Sequence, residues 1–141
     1  MSSASIKLSA ANKKLDSTIP LTGSKSESNR ALIMQALSDG AVRVDNISEA
    51  ADTVTLNNIL KADKPTKVDI GPAGTAMRFL TAFYSLKESE VLLTGSERMK
   101  QRPIGILVDA LRTLGADIQY AEKEGFPPLK IRGPLQQKTP E

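Results

Sequence analysis

Two short stretches combine small residues with cations at spacings suited to gripping an anion. Gly23-Ser24-Lys25-Ser26 leads to Arg30, and Ala73-Gly74-Thr75 leads to Arg78. Further along, Arg98, Lys100 and Arg102 stand at alternate positions before Pro103. Small residues let a ligand approach the backbone closely, and free backbone N–H groups beside Lys or Arg make an anion site. Arginine also meets carboxylate and phosphate through paired bonds. The chemistry these residues suggest is recognition of anions. The chain contains no His and no Cys, so it lacks the usual general base, the commonest metal ligand and any thiolate nucleophile. Neither stretch is a nucleotide-binding signature. In GSKSESNR no Lys follows a second Gly as a P-loop requires, and GPAGTAMR is not a dinucleotide fingerprint.

The elements that must carry these cations follow from apolar periodicity. Helices are expected over Ser26–Ser38, Asp52–Lys61, Thr75–Leu86 and Pro103–Leu114. The first stops at Asp39-Gly40. Asp52 is foremost the expected N-cap of the second and only then a site candidate, with Leu56, Ile59 and Leu60 on one face. In the fourth, Pro103 suits the first helical position, Ile104, Leu107, Val108 and Leu111 share a face, and Gly115 closes it. Strands are expected at Ile6–Leu8, Val42–Asp45, Lys67–Ile70, Val91–Thr94, Asp117–Tyr120 and Leu129–Ile131, the last two forming a hairpin around Glu122–Pro128.

The chain also repeats itself. GSKSESNRAL from Gly23 aligns with GPAGTAMRFL from Gly71, matching at 23/71, 30/78 and 32/80. Val42-Arg43-Val44 aligns with Val91-Leu92-Leu93 after one residue of slippage. The expected order is glycine loop, helix, strand, helix, strand, run twice with a period of roughly 50 residues. A helix N-terminus carries about half a positive charge and normally attracts acids. Three of the four expected helices instead begin among cations: Lys25 and Arg30, then Arg78, then Arg98, Lys100 and Arg102. The bland alternative is that these cations are solvated or paired with Glu27, Glu49 or Glu97. Their recurrence at equivalent repeat positions favours anion-binding helix starts converging on one pocket.

With 141 residues the chain suffices for one domain with a core. A net charge of +3 and 4% aromatics argue against nucleic acid, since there is little on which to stack bases. No apolar run suits a signal peptide or a membrane span, and nothing points to an oxidising compartment. A cytoplasmic protein is expected.

Three ordered motifs resemble those of the 5-enolpyruvylshikimate-3-phosphate synthase family. Gly23-Ser24-Lys25-Ser26-Glu27-Ser28-Asn29-Arg30-Ala31 is similar to its GSKS-x-SNRA signature, and Ala73-Gly74-Thr75-Ala76-Met77-Arg78 to its second. Leu93-Thr94-Gly95, Arg98-Met99-Lys100, Arg102-Pro103-Ile104-Gly105 and Leu107-Val108-Asp109-Ala110-Leu111 resemble its third. The resemblance runs from about Leu21 to Gly133. It implies an α+β fold of repeated βαβαββ units, with two of the N-terminal domain's three units present and the first abbreviated. The implied division is 1–20 as a leading strand and crossover belonging with an absent C-terminal domain, 21–72 as the first unit and 73–141 as the second.

The implied activity moves the enolpyruvyl group of phosphoenolpyruvate to the 5-hydroxyl of shikimate 3-phosphate and releases phosphate, with no metal or organic cofactor. Lys25 corresponds to the lysine touching both substrates, and Ser26 and Arg30 to shikimate 3-phosphate contacts. Gly74 corresponds to the glycine beside phosphoenolpyruvate, and Arg102 to the arginine gripping its phosphate. Thr75, Arg78 and Arg98 are further candidates, while Tyr84, Tyr120 and Met77 read as core or rim. The acid-base groups are expected in the absent domain, so this chain alone is expected to be inactive. Three departures stand out: Phe79 at an expected proline, Ala51 at an expected acid, and a shortened hairpin after the second helix. A related enolpyruvyl transferase acting on a UDP-sugar fits less well, because its reactive cysteine has no counterpart here. A non-catalytic anion-binding module is the alternative in another class.

Overall fold

A computed structural model describes residues 5–9, 14 and 16–137. Residues 1–4, 10–13, 15 and 138–141 belong to the outer two expected units and lie outside the described residues. The elements, in order, are α1 (Lys25–Leu37), α2 (Ala51–Leu60), β1 (Lys67–Asp69), α3 (Gly74–Leu86), β2 (Ser89–Thr94), α4 (Glu97–Lys100), α5 (Gly105–Thr113), β3 (Asp117–Tyr120) and β4 (Leu129–Gly133). The strands form one mixed sheet in the order β1-β2-β4-β3. β1 runs parallel to β2, and the other two pairings are antiparallel.

Alternation along the strands decides which face the helices cover. Val68, Val91, Leu93, Ile118, Leu129 and Ile131 point inward and are buried. α3 lies across β2 and β4, and α5 beside β3. Met77 and Leu80 of α3 and Val108 of α5 complete the core. The opposite face is polar, carrying Glu90, Asp117, Gln119, Lys130 and Arg132. Gly115 ends α5 with φ +97°, a backbone state that side chains disfavour.

Four expectations need correction. Residues 5–9 form no strand, and Ile6 and Leu8 are exposed. Residues 42–45 form no strand either, because the Val42 N–H donates to the Ser38 Oγ at 3.0 Å instead of to a ladder. Asp52 is not the N-cap of α2. Ala50 holds that position without a side-chain bond, and Asp52 lies inside the first turn. Pro103 is not helical: α5 starts at Gly105 after Ile104, and the Pro103 carbonyl accepts from Arg78 at 3.2 Å. The short α4 was not expected. Its only signal is Ser96, whose Oγ accepts from the Met99 N–H at 3.3 Å, and four residues show no periodicity. The hairpin of β3 and β4 is as expected. α3 runs unbroken through Phe79.

Candidate functional site

Residues 74–102 bring Gly74, Arg78, Arg98 and Arg102 together. α3 begins at Gly74 with no side-chain cap, so no side chain satisfies its first N–H groups. The Arg102 guanidinium lies over this start. A Cβ added at Gly74 would overlap Arg102 Nη1 and stand 2.8 Å from its Cζ. Only glycine leaves room for that arrangement. Arg78 donates to the Gly74 carbonyl at 3.2 Å and to the Pro103 carbonyl at 3.2 Å, tying the start of α3 to the segment before α5. Arg98 joins Arg102 in a cleft of about 400 Å³, with Pro72, Ser96 and Met99 as its other walls. Thr75 is exposed beside Gly74.

Lys25, Ser26 and Arg30 stand on α1, which packs on α2 and α3. Here the helix start is more conventional than expected. Ser24 caps it through the Glu27 N–H at 3.4 Å, and Glu27 lies in the first turn. Lys25 Nζ meets Asp52 Oδ2 at 3.2 Å, and Arg30 donates to the Ser26 carbonyl at 3.0 Å. No hydrogen bond or ion pair links this group to the Arg102 group among the described residues. Gly23 lets its loop close on residues 46–48, since an added Cβ would overlap the Asn46 carbonyl and stand 3.2 Å from the Ser48 nitrogen.

The ion pairs divide the seven arginines of the chain. Arg43 pairs with Asp45, Arg112 with Asp109 and Glu124, and Arg132 with Glu90. Arg30, Arg78, Arg98 and Arg102 meet no carboxylate among the described residues. These are the four arginines of the helix starts. Lys100 behaves differently. It bonds Glu122 at 3.2 Å and Glu97 at 3.3 Å, and these bonds, that to Glu122 foremost, push its pKa above the ordinary lysine value. For Lys100 and Lys25, ion pairing with an acid is the arrangement present.

Two features were missed in the motifs. Ser28 and Asn29 are buried pins: the Ser48 N–H donates to the Ser28 Oγ at 3.0 Å, and the Thr53 Oγ1 donates to the Asn29 Oδ1 at 2.8 Å. Polar residues sharing the inward face of a helix with Leu32 were the available signal. Asp52 read as a cap, and its partnership with Lys25 needed the tertiary fold.

Comparison with known proteins agrees with these motifs. The family model described as EPSP synthase (3-phosphoshikimate 1-carboxyvinyltransferase) matches residues 9–64 and 57–140. A 3-phosphoshikimate 1-carboxyvinyltransferase of Bacteroides fragilis (strain YCH46) is 51% identical over 126 residues, covering 89% of this chain and 30% of the relative. One from Yersinia pestis bv. Antiqua (strain Angola) is 40% identical over 144 residues, covering 84% of this chain and 34% of the relative. The structure of EPSP synthase from Acinetobacter baumannii superposes with a TM-score of 0.70 at 23% identity, over 85% of this chain and 32% of that one. The chain thus spans about a third of the length of the curated relatives it matches. It has an α+β fold of the EPSP synthase kind, and it belongs to the EPSP synthase (3-phosphoshikimate 1-carboxyvinyltransferase) family.

Proposed function

We propose that the chain supplies the cationic N-terminal part of the substrate site of a 3-phosphoshikimate 1-carboxyvinyltransferase. The observation that carries this reading is the division of the arginines. Arg30, Arg78, Arg98 and Arg102 stand near helix starts without acidic partners among the described residues, while the other three are all paired. Guanidinium groups without carboxylates, two of them beside the uncapped start of α3, suit a guest with several negative charges. Phosphoenolpyruvate and shikimate 3-phosphate are such guests.

In this reading Lys25 touches both substrates, Ser26 and Arg30 hold shikimate 3-phosphate, the Gly74 backbone approaches phosphoenolpyruvate, and Arg102 grips its phosphate. Thr75, Arg78 and Arg98 line the same site. The 5-hydroxyl gives up its proton as its oxygen bonds to the central carbon of phosphoenolpyruvate, and the double bond opens as the methylene takes up a proton. Loss of a proton from the resulting methyl group then expels phosphate. This chain's cations neutralise the anions and orient them. The groups that move protons lie in the C-terminal domain, which residues 1–20 accompany. Residues 21–72 and 73–141 form the two repeat units. The same reading places the enzyme in the cytoplasm.

The test joins this chain to the C-terminal two-thirds of the Bacteroides fragilis relative and measures phosphate release from the two substrates. The joined protein is expected to turn over and the chain alone to be inactive. Within the joined protein, Lys25→Ala and Arg102→Ala are expected to lose activity, while Arg43→Ala retains it. Activity in the isolated chain, or full activity after both losses, overturns the proposal.

A further inference from the structure

Among the cations assigned to substrate, the four arginines meet no carboxylate among the described residues, whereas Lys25 meets Asp52 at 3.2 Å. This pair joins two helix starts that are fixed to one another. Lys25 opens α1, and Asp52 lies in the first turn of α2. Asn29, one turn along α1 from Lys25, accepts from Thr53, the neighbour of Asp52, at 2.8 Å. Ser28 accepts from the Ser48 N–H at 3.0 Å. All four pinning residues are buried. The ion pair itself is more open, with Lys25 51% and Asp52 28% exposed. A guest can therefore reach an ammonium whose partner stands on a rigid element.

An ammonium has three N–H donors on a flexible stem and no preferred direction of its own. We infer that Asp52 is a positioning residue: it occupies one N–H of Lys25 and directs the other two toward the anionic substrates. The inference rests on the reading of Lys25 as a substrate-binding group. The first turn of a helix is also where a carboxylate is favoured, which suits Asp52 to stay in place when the guest arrives.

Simple repulsion predicts the opposite sign. A carboxylate beside an anion site opposes the guest, so its removal alone would tighten binding. Calorimetric titration of the full 141-residue chain with shikimate 3-phosphate separates the two. The proteins are the unsubstituted chain, Lys25→Ala, Asp52→Ala, Asp52→Asn, and Lys25→Ala with Asp52→Ala. Asp52→Ala is expected to weaken binding about threefold to fivefold, the range available to a half-exposed ion pair. Asp52→Asn, which keeps an acceptor, is expected to fall between. In the Lys25→Ala background Asp52→Ala is expected to change nothing further.

A purely structural Asp52 would weaken binding equally with and without Lys25, and that result overturns the inference. Tighter binding by Asp52→Ala overturns it too. Loss of affinity in Lys25→Ala with none in Asp52→Ala defeats the Asp52 role alone. No binding by the unsubstituted chain, or none lost in Lys25→Ala, defeats the reading of Lys25 and the role of Asp52 with it.

Discussion

In residues 74–133 the cations stand on a packed apolar core, whereas in residues 23–69 they stand on a polar seam. α3 buries seven residues, among them Met77 and Leu80, against the sheet. α1 has the same length but buries only Ser28, Asn29 and Leu32, and it leaves Met34 and Leu37 exposed. The second region can orient Arg78 and Arg102 because α3, β2 and β4 leave its backbone little freedom. The first region orients Lys25 through two buried hydrogen bonds. Two similar glycine-and-cation motifs are thus held by different forces. Apolar burial is non-directional and tolerates local change, while a buried hydrogen bond is directional and costly to leave half-made.

Losing the core of α3 is expected to have the largest effect. Leu80→Ala should cost about 2–5 kcal/mol, as for a fully buried leucine, and should lower hydrogen-exchange protection throughout the chain. Leu32→Ala should lower it only in α1 and α2. Equal, global loss from both would abolish the contrast between the regions. Next is Gly74→Ala, which should displace the Arg102 guanidinium without unfolding α3, because the overlapping atoms end a flexible side chain. A charge-assisted bond contributes about 1.5–3 kcal/mol, so calorimetry should show affinity for phosphoenolpyruvate reduced tenfold or more, with an unchanged melting temperature.

Thr53→Val should cost about 1–3 kcal/mol by leaving the buried Asn29 oxygen without a donor. In urea titrations this loss should be confined to the first region. A cost below a few tenths of a kcal/mol would mean that the seam is not what holds α1. The smallest effect concerns Lys100, which ties α4 to the loop before β4 through Glu122. Its pKa is raised, so the tether is complete below the ordinary lysine pKa and is lost only as pH rises through the raised value. Chemical shifts of Glu122 followed from neutral to strongly alkaline pH should show release only above the ordinary lysine range. Release near neutral pH would contradict the arrangement.

Much of the fold was legible because its signals are local. The apolar spacing of Leu107, Val108 and Leu111 foretold α5, and alternation in Asp117–Tyr120 and Leu129–Ile131 foretold the hairpin. Val42–Asp45 misled for the same reason: β-branched alternation suits a strand, but a strand needs a neighbour, and Ser38 takes its N–H instead. Pro103 suited the first position of a helix by its fixed φ, yet its carbonyl serves Arg78.

The candidate site shows the same boundary. The sequence by itself determined which cations follow which glycines, that no His or Cys accompanies them, and that the motifs are those of one family. Those are matters of residue type and spacing. Only the tertiary structure decided that four arginines meet no carboxylate among the described residues, that Arg102 lies over Gly74, and that Asp52 faces Lys25 instead of capping its own helix. Pairing depends on which distant groups arrive within about 4 Å of each other, and at ion-pair range that distance decides the interaction. No local pattern along the chain records it.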